Sequence, residues 1–161
     1  MTIHFGADNT SLASGDIGGG GKFVRIVEGT YNTQYSIPGS WGATGYSLSI
    51  APADAANKIL VVFSPPIYSY RNGGTGLNLR IKRGSTEIWS AAGTTTHGYY
   101  NDASSSSNAF YKRPVIFTMD HPNTTSSTTY SLEAQQYGGS TARTSKNGYL
   151  GEMFLIELDY T

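Results

Sequence analysis

The chain has no cysteine, no excess of charge of either sign and no long apolar run. The absence of cysteine excludes disulfides and thiolate metal sites. The 11 basic and 11 acidic residues give a formal net charge of +0, so the electrostatic footprint of a nucleic-acid-binding surface is missing. No run of about 18 apolar residues could cross a membrane. We therefore expect neither nucleic acid binding nor membrane insertion.

A secretory signal is also not expected, because Met1-Thr2-Ile3-His4-Phe5 has neither the basic nor the apolar region of a signal peptide. Helical periodicity is missing as well, since no window keeps apolar residues at the spacing of one helix face. What recurs from Lys22 onward is alternation, as in Tyr46-Ser47-Leu48-Ser49-Ile50. Alternation is the period of a half-buried strand. The 161 residues therefore predict one all-β domain, a sandwich or a barrel.

Turn residues divide this domain, residues 22–161, into about nine predicted strands. The long run Asn57–Tyr70 must break or bulge at Pro65-Pro66, because proline cannot donate a ladder hydrogen bond. Arg83-Gly84 predicts a tight hairpin. Asn147-Gly148 predicts a hairpin turn of type I′, in which both central residues have positive φ. One of the predicted strands is Lys112–Asp120.

Residues 1–21 differ from the rest and end in four consecutive glycines. Their apolar side chains are spaced too widely to pack on one another, and ordering so many glycines costs conformational entropy. We predict that this segment is an attachment arm lying across a neighbouring subunit or a particle surface. An arm folded back on its own sandwich is the alternative. The residues expected to be buried in the contact are Ile3, Phe5, Leu12 and Ile17.

The chain contains no complete sequence motif for catalysis or for binding a cofactor. The glycines before Lys22 suggest a phosphate loop, but Asp16 and Phe23 occupy positions where that motif needs Gly and Ser or Thr. The histidines His4, His97 and His121 have no metal-ligand spacing. We therefore predict a protein without catalytic residues, metal or cofactor. A glycan-degrading enzyme remains an alternative, because the sequence alone cannot pair its acidic residues.

Tyrosine is abundant, with 12 residues, several of them near predicted loops or strand ends. Its ring offers a flat apolar face and a hydroxyl at low entropic cost, which suits sugar stacking or protein contacts. The simpler interpretation is that tyrosine fits a half-buried strand. The residues predicted to contact a ligand or partner are Tyr68, Tyr70, His97, Tyr99 and Tyr100.

A family resemblance extends from about Gly21 to Leu158. It is carried by six segments in order: Leu48–Pro52, Ala56–Val61, Arg80–Ile88, Phe117–Pro122, Thr128–Leu132 and Met153–Leu158. In this order and spacing they resemble β-rich domains in tail fibres and other surface proteins of tailed bacteriophages of the marine and cyanobacterial type.

The resemblance implies a jelly-roll-like antiparallel β-sandwich that forms homotrimers and performs no catalysis. We expect a virion protein that is assembled in the host cytoplasm and has no enzymatic activity. The first expectation is a capsid decoration or cement protein, held by its arm to major capsid or tail proteins. The alternative is a tail fibre or tail-tip module that recognises a glycan or protein on the host surface. No shaft-like repeat precedes the domain, which favours a knob seated directly on the particle.

Overall fold

The structure, a computed structural model, describes residues 22–71, 75–91, 99–101, 108–137 and 141–160. The predicted arm, residues 1–21, and His97 lie outside them. The described residues form thirteen strands and one 3₁₀ turn, Lys146–Gly148. The strands are β1 (Lys22–Tyr31), β2 (Tyr35–Ile37), β3 (Gly42–Ile50), β4 (Lys58–Ser64), β5 (Ile67–Arg71), β6 (Thr75–Arg83), β7 (Thr86–Ala91), β8 (Tyr99–Asn101), β9 (Asn108–Lys112), β10 (Ile116–Asp120), β11 (Thr128–Tyr137), β12 (Thr141–Thr144) and β13 (Gly151–Asp159).

Eight of these strands have the order of a jelly roll. The first main sheet is β1-β13-β4-β10, and the second is β3-β11-β6-β7, with β8 also paired to β6. The pairs β1 with β13, β3 with β11, β4 with β10 and β6 with β7 are all antiparallel. Along the chain each of these pairs encloses the next, and the innermost pair turns at Gly84. The eight strands therefore correspond to one long hairpin that is rolled up into two sheets. The predicted all-β, jelly-roll-like fold is confirmed.

A third sheet, β2-β12-β5-β9, closes one end of the sandwich. Each of its strands lies in a connection that carries the chain between the two main sheets. All four connections leave at the same end, because the main strands are antiparallel. We call this the closed end.

Proline and turn residues divide the chain largely as predicted. The run from Asn57 breaks at Pro65-Pro66, between β4 and β5. Gly84, at the first central position of the β6–β7 hairpin, has φ 54, as a type II′ turn requires. Asn147 and Gly148 both have positive φ, 60 and 74. The break at the prolines and the hairpin at Gly84 are confirmed. The positive φ values of Asn147 and Gly148 are also confirmed, but the pair joins β12 to β13, which lie in different sheets, so the predicted hairpin is wrong there.

Other predicted boundaries were wrong. The expected strand from Lys112 to Asp120 is two strands, because Pro114 separates β9 from β10. Strands β2 and β12 were missed. Both are short and largely polar, and they form because they pair with each other and β12 also pairs with β5. A pattern read along the chain cannot report such pairing.

The core lies between the two main sheets. Every second residue of the central strands is fully buried, as the alternation requires. The strands β4, β6, β11 and β13 supply most of it: Ile59, Val61, Phe63, Leu77, Leu79, Ile81, Tyr130, Leu132, Ala134, Met153 and Leu155.

One inward-facing residue of β13 is charged. The Glu157 carboxylate accepts hydrogen bonds from the Ala53 backbone N–H at 2.6 Å, from Asn57 Nδ2 at 2.7 Å and from Arg25 Nε at 2.8 Å. It thereby ties the β3–β4 connection to the first sheet. Burial alone would raise the pKa of Glu157, but the hydrogen bonds from Asn57, Ala53 and Arg25 outweigh burial and lower it.

Replacing Glu157→Gln should destabilise the protein by about 2 kcal/mol, because a buried charge-assisted network is lost. Since the pKa of Glu157 is lowered on folding, its contribution is present above its ordinary pKa of 4.5 and is lost as the pH falls through the folded value. Urea unfolding at several pH values measures both effects. Glu152→Gln is the control, since its ion pair with Arg113 is exposed and contributes at most about 1 kcal/mol. Equal losses for the two variants would contradict this account.

Candidate functional site

The closed end carries a groove lined by aromatic and basic side chains, with a volume of about 680 Å³. Tyr68 comes from β5, Tyr111 and Lys112 come from β9, and the turn Lys146–Leu150 forms the remaining wall. Three different connections between the main sheets therefore meet here.

Strand register creates the centre of the groove. Tyr68 and Tyr111 are directly opposed across β5 and β9, and their ring centroids are 4.9 Å apart. Lys146 Nζ lies 3.5 Å from the Tyr68 centroid and 5.2 Å from the Tyr111 centroid. The same ammonium donates a hydrogen bond to Tyr111 Oη at 3.0 Å. One cation is therefore held between two rings.

These contacts keep Lys146 charged. The hydrogen bond to Tyr111 raises the pKa of Lys146 above its usual value and outweighs the opposing effect of desolvation. Electrostatic attraction by Tyr111 and Tyr68 acts in the same direction. The groove consequently presents a fixed positive charge at neutral pH.

The turn that carries Lys146 is held by buried contacts. Ser145 has a left-handed backbone, φ 47, and is fully buried. Its N–H donates to Pro66 O at 2.9 Å, and its Oγ is hydrogen-bonded to Tyr46 Oη at 2.9 Å. A side chain at Gly151 would place its Cβ 1.8 Å from that same Tyr46 oxygen. The surroundings thus fix a strained turn, an arrangement found at functional sites.

The groove is electropositive. Its lining contains Lys112, Arg113 and Lys146, and the lining residues in the described part of the chain include no acid. Arg113 is neutralised by Glu152, with 2.8 Å between Nη2 and Oε2. Lys112 and Lys146 therefore remain to balance the negative charge of a ligand.

The rim is aromatic and exposed. Tyr111 is 57% exposed, Tyr149 is 58% exposed and Leu150 is 55% exposed. Exposed apolar groups of this size beside charged ones are typical of a contact surface.

The structure places the predicted contact residues in two different sheets. Tyr68 lies in the groove, and Tyr70 lies two residues further along β5, 38% exposed. The backbone of Tyr99 and Tyr100 pairs with β6 in the second main sheet, so these residues belong to a different sheet. Their side chains, like His97, fall outside the described residues.

Tyr111 belongs to the tyrosines near predicted strand ends but was not among the predicted contact residues, and sequence reasoning missed Lys146 and Tyr149 altogether. A signal was present, because Tyr111-Lys112-Arg113 and Lys146–Tyr149 each place basic residues beside tyrosine next to a proline or a turn. What the sequence could not supply was the pairing of β5 with β9, which brings the two segments together.

The outer faces of the two main sheets differ sharply. The outer face of the second sheet is polar, with Ser47 and Ser49 on β3 and an ion-pair cluster on β6 and β11. In that cluster Arg80 Nη2 lies 2.5 Å from Glu133 Oε2, and Lys82 Nζ lies 3.5 Å from Glu133 Oε1. This face is suited to water.

The outer face of the first sheet is apolar. Cross-strand pairing aligns two rows on it, one of Ile26, Ile156, Leu60 and Met119 and one of Phe154, Val62 and Phe117. Phe117 is 65% exposed, Ile26 47% and Met119 42%. We call these seven residues the apolar face. Its central strands read as nearly continuous apolar runs, which is typical of a sheet covered on both sides.

Several of the acidic residues that sequence analysis left unpaired make structural contacts in the described part of the chain. Asp120 lies 3.0 Å from Arg83 Nη1 and accepts a hydrogen bond from Tyr130 Oη at 2.7 Å. Within the described ranges, no three His, Cys, Asp or Glu residues lie close enough to hold a metal ion together. Among the same residues, none forms a helix with the length and apolarity needed to span a bilayer.

Among the comparisons with known proteins, only solved structures give matches. Neither a family model nor a curated protein matches the chain. The chain is similar to a mutant VP2 protein of infectious bursal disease virus in T=1 particles, with a TM-score of 0.32 and 16% identity. The match covers 99% of this chain and 41% of that protein. The fold assignment rests on the strand order described above.

Replacing Tyr111→Phe should lower the pKa of Lys146, because the hydrogen bond that contributes most to raising it is removed. The pKa is measured by NMR titration of the lysine side-chain resonances. Tyr149→Phe is the matched control, since no hydrogen bond joins its hydroxyl to Lys146 in the described structure. An unchanged pKa in Tyr111→Phe would contradict the proposed geometry of the groove.

Proposed function

We propose that this protein is a non-enzymatic structural protein of a virion surface, which assembles as a homotrimer through the apolar face. The observation that carries the proposal is the contrast between the two main sheets, one polar outside and one apolar outside. A monomer gains nothing from exposing Phe117, Ile26 and Met119 to water. Burial of each such side chain contributes about 1.5–3 kcal/mol.

A second copy of the chain is the occupant that fits best. The apolar face is bordered by Glu28 and Glu152 towards one end and by Lys58 towards the other. Glu152 is paired with Arg113 of its own chain, so the charges left for a neighbouring copy to match are those of Glu28 and Lys58. The net charge of +0 also means that copies do not repel one another.

The size of the face agrees with this role. A four-stranded sheet of this length presents about 20 Å by 20 Å, or about 400 Å², from the usual strand spacing and rise. Patches of that size on a monomer frequently mark interaction sites. The resemblance to phage surface domains supports the virion location. Within that role, we propose a capsid decoration or cement protein anchored through residues 1–21.

A tail fibre or tail-tip module that recognises the host is the second candidate function. The groove at the closed end favours it, because the groove is exposed, electropositive and held by buried contacts. Labelled antibody on intact particles distinguishes the two candidates. Label over the capsid supports decoration, label at the tail supports recognition, and no label on particles contradicts both.

Replacing Phe117→Lys should reduce the oligomer to monomer or weaken it by at least about tenfold, because a charge is placed in a contact that is otherwise apolar and buried. The mass in solution is measured by light scattering across a range of concentrations. Ser47→Lys, which adds the same charge on the polar face, should leave the mass unchanged. A monomeric parent protein, or equal effects of the two variants, would contradict the assembly.

A further inference from the structure

We propose that the groove at the closed end binds a saccharide that carries a carboxylate, such as a uronic or sialic acid. The proposal goes beyond the structural role, since Tyr68, Tyr111, Lys146 and Tyr149 are not part of the apolar face. It rests on the second candidate function, recognition of the host, and specifies the chemistry of the ligand and the residues that bind it.

The charge of the ligand follows from the lysines. An ammonium has three N–H donors, and the described contacts of Lys146 use two of them, to Tyr111 and to Tyr68, which leaves one for a ligand. Lys112 lines the same groove. Cations without acidic partners at one site predict an anionic ligand.

A carboxylate fits these cations better than a phosphate does. Strong phosphate sites combine several backbone N–H groups or a free guanidinium fork. Arg113, the guanidinium that lines this groove, is already engaged by Glu152. Two ammonium groups acting as point charges suit an anion of single charge.

The sugar ring follows from the tyrosines. A pyranose has one face of C–H groups and a periphery of hydroxyls, so it needs a flat apolar surface bordered by hydrogen-bonding groups. The exposed rings of Tyr111 and Tyr149 supply such surfaces with their own hydroxyls. The Asn147 side-chain amide lines the same wall. A groove of about 680 Å³ has the size of a small-molecule site and accommodates a short oligosaccharide.

The site is also organised before any ligand arrives. Ser145 is anchored to Tyr46 and to the backbone of Pro66, and Lys146 is already placed between two rings. Little conformational entropy remains to be lost at the turn on binding, and such preorganisation increases affinity.

The test uses the full chain and calorimetric titration with two acidic probes, trigalacturonic acid and 3′-sialyllactose. The matched neutral probes are the methyl esters of the same two saccharides, which lose the charge and keep every sugar ring. We expect at least one acid to bind and its neutral counterpart to bind at least about tenfold more weakly, as loss of a hydrogen bond to a charged group predicts. Affinity for the acid should fall with added salt.

Lys146→Met keeps the length of the side chain and removes its charge, so it should weaken binding of the acid by at least about tenfold. Lys58→Met is the matched control, because Lys58 also lies over a ring, 4.2 Å from the Tyr160 centroid, at the other end of the sandwich. It should bind the acid as the parent does. The mass in solution of Lys146→Met should equal that of the parent, because Lys146 lies outside the apolar face, and this separates failure of the groove from failure of assembly.

Three results would overturn the proposal. The first is no binding of either acid at millimolar concentration. The second is equal binding of an acid and its neutral counterpart, or of Lys146→Met and the parent. The third is displacement of the saccharide by inorganic phosphate or sulfate at equal concentration, which would show an anion site without recognition of the sugar.

Discussion

The first sheet is apolar on both faces, so both faces have to be shielded from water. The rest of the structure depends on this constraint. The second sheet covers the inner face of β4 and β13, where Val61, Phe63 and Leu155 are fully buried. The second sheet can do this because its own inner residues alternate with a polar outer face that tolerates water. The outer face of the first sheet has no such cover within the described residues, and we propose that a neighbouring copy of the chain covers it.

The closed end depends on a second, local constraint. Tyr46 is buried from β3 and touches both Ser145 and the position of Gly151, so the two ends of the β12–β13 connection are packed against one phenol. The ring of Tyr31 packs against it with centroids 4.8 Å apart. This packing converts flexible connections into a rigid support, and it sets the position of the turn that carries Lys146. Structural stability and the geometry of the groove therefore come from the same contacts.

Much of the fold could be predicted from the chain, because alternation and proline act locally. Pro65-Pro66 had to end β4, and Gly84 had to turn the hairpin. The strands β2 and β12 could not be found, since they exist through pairing between distant segments. For the same reason Tyr68 was found by residue type, whereas Tyr111 and Lys146 were missed. The apolar face was visible as runs in β4 and β13, but only the register shows that its side chains form rows.

The burial of the apolar face between copies is tested most directly by thiol labelling, since the parent chain has no cysteine. Met119→Cys places a thiol in one of the two apolar rows, and Ser47→Cys places one on the polar face of the second sheet. The account predicts that the labelling rate at position 119 falls as the protein concentration rises, while the rate at position 47 stays constant. Rates at both positions that are independent of concentration, with position 119 labelled as fast as position 47, would contradict it.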